Sequence, residues 1–199
     1  MTAFRNPQAA LAPNAAPFAI RSERASDVVA REALLDACFG ENRSLRTCQR
    51  LRDGRVPAEG LAFSAVRGGK LVGTLRLWHV SAGGTPALIL GPLAVETGSR
   101  KLGVGAALMD HALAAADARG HRAVILLGDA PYYARFGFSA EKTGALALPG
   151  PFERERLLGL ELSTGALDGI TGMIVPSGAL SLPSPRARKR TPRPVPQAA

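Results

Sequence analysis

The sequence predicts an α/β domain with a mixed sheet and helices on its faces, and three observations predict it. Two strand-like runs, Leu61–Val66 and Lys70–Val80, flank Arg67-Gly68-Gly69; paired glycines accept the positive φ of a tight hairpin, so these strands are antiparallel. Two nearly continuous apolar runs, Ala87–Glu96 and Arg122–Asp129, bracket a helical stretch that ends at Arg119-Gly120. A strand–helix–strand unit of this kind is a right-handed parallel crossover. The chain has 199 residues and 46% hydrophobic content, which is enough for one substantial core, and one domain is the default at this length.

Taken in order, Pro17–Glu23 reads as a first strand. Ser26 is placed to cap the helix Asp27–Phe39, which Gly40 ends, with Leu35, Cys38 and Phe39 on one face. Glu41–Gly54 reads as a second, more polar helix. In the hairpin's second strand, alternation puts Leu71, Leu75, Leu77 and His79 on one face and Val72, Thr74, Arg76, Trp78 and Val80 on the other. The next strand, Ala87–Glu96, is apolar as expected of a strand covered on both sides, but Gly91-Pro92 interrupts it. Proline cannot donate to a ladder, so a bulge or a stop in pairing is expected there, and bulges gather beside active sites. After the crossover helix and the strand Arg122–Asp129 come a short helical segment, Ala130–Phe136, and last strands at Gly137–Ala140 and Arg156–Leu162.

Composition bounds the function classes. No apolar run reaches the ~18 residues of a membrane span. The N-terminal residues 1–16 are broken by Pro7, Pro13 and Asn14, so a disordered leader is expected rather than a secretory signal. Cys38 and Cys48 are the two cysteines; they have no partner at metal-ligand spacing, so no metal is expected, and reduced thiols in a cytoplasmic protein are. The domain is expected to span residues 17–176. The net charge is +9, of which Arg186, Arg188, Lys189, Arg190 and Arg193 supply five and leave +4 for the rest. Residues 177–199, rich in proline and arginine, read as a disordered tail.

The stretch from Arg100 to Ala116, "RKLGVGAALMDHALAAA", places two glycines at a helix start, where free N–H groups and the macrodipole favour an anion. It is not a Walker loop, since no glycine is followed by Lys-Ser/Thr at the required spacing. It is not a dinucleotide fingerprint either: Leu108 replaces the third glycine, and about six residues separate the strand from Gly103. Arg-x-x-Gly-x-Gly after an interrupted apolar strand, followed by a helix, a strand and "YYARFGF", resembles the GNAT superfamily of acyl-CoA-dependent N-acetyltransferases over roughly Phe18–Leu162. The set "LGPLAV", "RKLGVGAALM", "LLGDAPYYARFGF" and "LPGP" resembles its YhbS-like branch.

The resemblance implies a mostly antiparallel central sheet with helices on both faces and acetyl-CoA as co-substrate. It implies a ternary complex in which an amine, of a small molecule or a peptide, attacks the thioester. The cofactor would be held by Leu93, Ala94 and Val95 on the interrupted strand and by Arg100, Lys101, Leu102, Gly103, Val104, Gly105 and Ala106 on the loop. Tyr133, four residues before Gly137, holds the place of the family's acid tyrosine and would also touch the cofactor; Tyr132 is assigned to packing. Glu96, at the strand end, is the candidate base beside Asp129 and His79, and ordered water is the alternative. Trp78 reads as core or pocket wall. Five arginines, Arg43, Arg46, Arg50, Arg52 and Arg55, crowd the acceptor side. No membrane partner is expected, nucleic acid is not the expected partner, and a monomer or homodimer is. Two other readings stay open: a non-catalytic acyl-CoA sensor, and nucleic-acid binding through the basic tail.

Overall fold

The computed structural model describes residues 18–181; the leader expected at 1–16 and the tail from 182 onward lie outside them. The strands are β1 (Ala19–Ser22), β2 (Ala62–Arg67), β3 (Lys70–Ala82), β4 (Thr85–Leu90), β5 (Ala94–Val95), β6 (Ala123–Leu127), β7 (Leu146–Ala147), β8 (Leu157–Glu161) and β9 (Gly172–Pro176). The α-helices are α1 (Val28–Phe39), α2 (Val104–Asp117) and the short α3 (Ala130–Tyr133). The main path runs β1-β2-β3-β4-β6-β8. Only the β4–β6 and β7–β9 pairings are parallel, so the sheet is mixed and mostly antiparallel, as expected. The hairpin turn at Gly68-Gly69 has φ of 56° and 77°, a conformation that a side chain would strain.

The long strand β3 organises the sheet. Gly73 and Thr74 pair with Ala65 and Ser64 of β2 on one edge and with Val95 and Ala94 of β5 on the other. Further along, Val80 pairs with Ala87 of β4 and with Pro176 of β9. α2 covers one face through Val104, Leu108, Met109, Ala112 and Ala116, packed with Leu75, Leu77, Leu88, Val124 and Leu126. The opposite face carries Trp78, Val80, Ile89 and Ile125 against Leu51, Leu146, Leu167 and Ile174, and α1 covers its β5 end through Leu34 and Leu35 on Ala94. Helices therefore lie on both faces.

Four local expectations are corrected. Ser26 does not cap α1, because it lies within a 3-10 turn at Ala25–Asp27. No side chain caps α1; Asp27 instead closes the 3-10 turn, accepting from Arg24 N–H at 2.9 Å, and also takes bonds from Ser64 Oγ at 2.9 Å and from Arg21 at 2.6 and 2.8 Å. The segment Glu41–Gly54 is not one helix but two 3-10 turns, Glu41–Leu45 and Thr47–Leu51, separated by extended Arg46. Thr47 and Arg50 donate to the carbonyls of Pro151 and Pro149, so a distant loop sets this conformation.

The alternation of β3 breaks at its start. Ala65 pairs with Gly73 but Val66 pairs with Leu71, which leaves Val72 as a bulge. Leu71 accordingly packs toward α1 and Val72 toward α2, the reverse of strict alternation. Residues Gly137–Ala140 form no strand, only a bridge between Ser139 and Gly159, whereas the paired strands β7 and β9 are absent from the sequence reading. Beyond β9 the chain stays paired: Val56 N–H donates to Ala179 O at 3.0 Å and Ser181 N–H to Gly54 O at 2.8 Å.

Candidate active site

The site begins where β4 stops. Gly91 adopts φ 128° ahead of a cis bond to Pro92. Both sides of its peptide are held: its N–H donates to Arg76 O at 2.8 Å, and its carbonyl accepts from Trp78 Nε1 at 2.8 Å. Trp78 is thus the pin of the interruption, a role its type alone did not disclose. β4 pairs with β6 only at Leu88–Val124 and Ile89–Ile125. After the break β5 continues on β3 while β6 runs on toward β8, and between them opens a cleft of about 940 Å³. Its walls include Leu90, Leu93, Val95, Leu126 and Gly128.

The backbone of β5 presents a donor to this cleft. Glu96 N–H is bonded to Val72 O at 2.9 Å. In an antiparallel ladder successive residues turn to opposite edges, so Ala94 faces β3 like Glu96 and the peptide group of Val95 faces the cleft, with Leu93 in its lining. The carbonyl of Val95 agrees with this: it accepts from Cys38 Sγ at 3.5 Å and Arg100 Nε at 3.3 Å, both on the cleft side.

α2 ends at the same opening. Gly103 caps it in the left-handed conformation, φ 77°, and the first intrahelical bond runs from Ala107 N–H to Gly103 O. The N–H groups of Val104, Gly105 and Ala106 therefore have no acceptor within the helix, and they sit at the positive end of its dipole. A Cβ on Gly105 would lie 2.9 Å from Tyr132 Oη and 3.6 Å from Val95 Cγ2, so only glycine leaves the space between helix, strand and tyrosine open. A phosphate-bearing cofactor fits this arrangement of free donors beside an open, apolar-walled cleft.

Of the residues expected at the cofactor, Leu93, Ala94, Val95, Arg100, Gly105 and Tyr133 line the cleft. Lys101 and Gly103 are exposed at its margin, Leu102 packs toward the core and Val104 is buried in it; Ala106 offers its backbone. Tyr133 lays its ring against Gly128, 2.3 Å from where a Cβ there would be, and edge-on to Phe138 at 6.0 Å between centroids. Burial, with the neighbouring Tyr132 and Asp129, pushes its phenol up to about 12. Tyr132 is the more open of the two, its ring stacked under Arg135 at 4.1 Å, with burial raising its phenol as well. Glu96 is exposed, accepts from Ser99 Oγ at 3.2 Å and is not part of the cleft lining, whereas Asp129 is. His79 lies against His121, centroids 5.3 Å apart, also outside that lining.

Residues 29–138 match the acetyltransferase (GNAT) family. The chain is 28% identical over 157 residues to YhbS of Escherichia coli K12, described as an uncharacterised N-acetyltransferase, covering 78% of this chain and 93% of that protein. The crystal structure of E. coli YhbS in complex with CoA matches with a TM-score of 0.70, over 82% of this chain and 91% of that one. A GNAT family acetyltransferase from Brucella melitensis, solved with acetyl-CoA, matches at 25% identity with a TM-score of 0.54, over 77% of this chain and 99% of that one. With the interrupted strand, the glycine-capped helix and the tyrosine meeting at one cleft, the chain belongs to the GNAT family of acetyltransferases.

Proposed function

We propose that the chain transfers the acetyl group of acetyl-CoA to a primary amine by direct attack in a ternary complex. The observation that carries this reading is the convergence of unspent N–H donors on β5 and α2 with Tyr133 at one cleft. Bound acetyl-CoA supplies the thioester on which the amine acts. The N–H groups of Val104, Gly105 and Ala106 hold the pyrophosphate, and Arg100 and Lys101 add positive charge. The N–H of Leu93 or Val95, both in the cleft lining, donates to the thioester oxygen, where charge develops as the amine attacks. A donor fixed in place for that charge is worth about 3–4 kcal/mol of barrier. Tyr133 gives its proton to the departing thiolate. The incoming ammonium loses its proton to ordered water or to Asp129, which lines the cleft as Glu96 does not.

The reading is tested by calorimetry with acetyl-CoA, followed by a panel of amines read through free thiol release. Micromolar binding with amine-dependent thiol release is expected. Absence of binding at millimolar acetyl-CoA defeats the reading, and binding without turnover on any amine replaces it with a sensor.

A further inference from the structure

The five arginines on the acceptor side separate sharply by partner. Arg43 is held by Glu32 and by Asp36 at 2.6 Å. Arg46 is exposed, lies over the Phe39 ring and donates to the Phe39 carbonyl. Arg50 and Arg55 donate to the carbonyls of Pro149 and Gly178. Arg52 differs from all four. Arg43 and Arg46 line the cleft as it does, but Arg43 is paired and Arg46 is exposed; Arg52 combines a place in the lining with partial burial, and among the described residues no carboxylate bonds to it. Its one bond runs from Nε to the Cys48 carbonyl at 3.1 Å, which leaves the Nη groups uncommitted. The adjacent Asp53 accepts from Gln49 Nε2 instead. Burial lowers the guanidinium's pKa; Cys48 and Asp53 oppose that shift, while Arg43 and Arg76 add to it. Arg76 is itself engaged by Glu23. A partly desolvated cation with no bonded carboxylate carries a desolvation cost, and an anion arriving from solvent would relieve it.

The position is as telling as the chemistry. Arg52 Nη1 lies 4.0 Å from where a side chain on Gly91 would begin, and Leu93 N lies 4.0 Å from the same point, so guanidinium and acyl-transfer strand meet at the interruption. A short amino acid with its carboxylate on the guanidinium therefore has its amine within reach of a thioester held on that strand.

We propose that Arg52 is the anionic subsite of the acceptor, so that the acetylated amine also carries a carboxylate. The inference rests on the acetyl-transfer reading of the cleft and deepens it. A carboxylate is favoured over a phosphate because a single uncommitted guanidinium matches one negative charge in a bidentate pair. A phosphate dianion would call for a second cation: Arg43 and Arg76 are already paired, and Arg46, which also lines the cleft, is exposed and engaged by the Phe39 ring and carbonyl.

The test uses amines in matched pairs: an amino acid against its carboxamide, and phosphoethanolamine against ethanolamine. The wild-type protein is expected to favour the amino acid over its carboxamide by about tenfold or more in kcat/KM, the range of one charge-assisted pair. In Arg52→Gln that ratio falls to within about threefold of unity, chiefly through KM, and Arg52→Lys keeps an intermediate preference. Independently of turnover, acetate is titrated into CoA-saturated protein by calorimetry; wild type and Arg52→Lys bind it and Arg52→Gln does not. Turnover indifferent to the carboxylate, or a ratio that Arg52→Gln leaves in place, overturns the subsite while leaving acetyl transfer standing. A preference for phosphoethanolamine overturns the carboxylate assignment. Acetate binding that depends on Arg52, with no amine turned over, defeats the transfer reading and leaves the subsite. Should Arg52→Gln fail to fold, the Lys variant decides: a preference unchanged from wild type overturns a role for the guanidinium fork.

Discussion

Tyr133 packs its ring over Gly128 with its phenol raised to about 12. A raised pKa keeps the phenol protonated as pH rises, so under the proposed mechanism its proton stays available until about pH 11. Turnover is therefore expected to rise with deprotonation of the amine and then hold level, with no descending limb from Tyr133 below that value. Tyr133→Phe is expected to lower kcat by about 100-fold or more while leaving acetyl-CoA affinity within about twofold; calorimetry beside the kinetic measurement separates the two. Gly105 is subject to a different demand. It is the second residue of α2, so alanine there gains at most about 0.5–1 kcal/mol of helix propensity, and the atom it would meet is the movable end of Tyr132. Gly105→Ala is therefore expected to keep or slightly raise Tm while weakening acetyl-CoA about tenfold, because the methyl intrudes where the phosphate meets the backbone. Both residues are legible in the chain, Tyr133 by its spacing to Gly137 and Gly105 by the glycine pair. The reach of Tyr132 across to α2 is not, because it depends on how two elements cross in space.

At the scale of elements, the break in the β4–β5 run is announced by proline, but what steadies it is not. Trp78 Nε1 to Gly91 O is a contact between neighbouring strands, and an aromatic residue in a strand has the same sequence signature whether it fills a core or donates a bond. Trp78→Phe leaves a buried carbonyl without a donor, a loss of about 1–3 kcal/mol. Thermal unfolding should record that loss together with a higher KM for acetyl-CoA, since β5 follows directly. The start of α1 is fastened in a comparable way. Asp27 joins β1, β2 and α1 through Arg21, Ser64 and the Arg24 N–H, and the Arg21 guanidinium, with the bonds from Arg24 and Ser64, holds its carboxyl well below the usual range. A depressed folded pKa contributes stability that is complete above the unfolded value, near 4, and is lost as pH falls toward the folded one. Asp27→Asn is expected to cost about 2–3 kcal/mol at neutral pH, with the gap to wild type closing progressively below about pH 4 in acid-unfolding curves. The two 3-10 turns after α1 were not legible, because the carbonyls of Pro149 and Pro151 that receive Arg50 and Thr47 lie on the far side of the sequence.

At the scale of the molecule, the alternation of hairpin and crossover was sufficient to give the class of sheet, and the glycine and tyrosine motifs gave the cleft. Missing was β9, whose Gly172–Pro176 has only one buried residue, Ile174, and so carries little periodic signal. Charge is distributed so that more than half of the net +9 falls in the segment from Ser181 onward. Deleting residues 182–199 is expected to leave acetyl-CoA affinity and thiol release within about twofold. An activity dependent on nucleic acid would instead disappear with the deletion and with added salt.

The pairing of β3 has a consequence for synthesis. β3 is complete at Ala82, yet its edge at Val80–Ala82 is closed only by Ile174–Pro176, near the other end of the described chain. Contacts so far apart in sequence form late. During translation the central strand therefore carries an open edge until most of the chain has been made, the kind of surface on which nascent chains pair with one another.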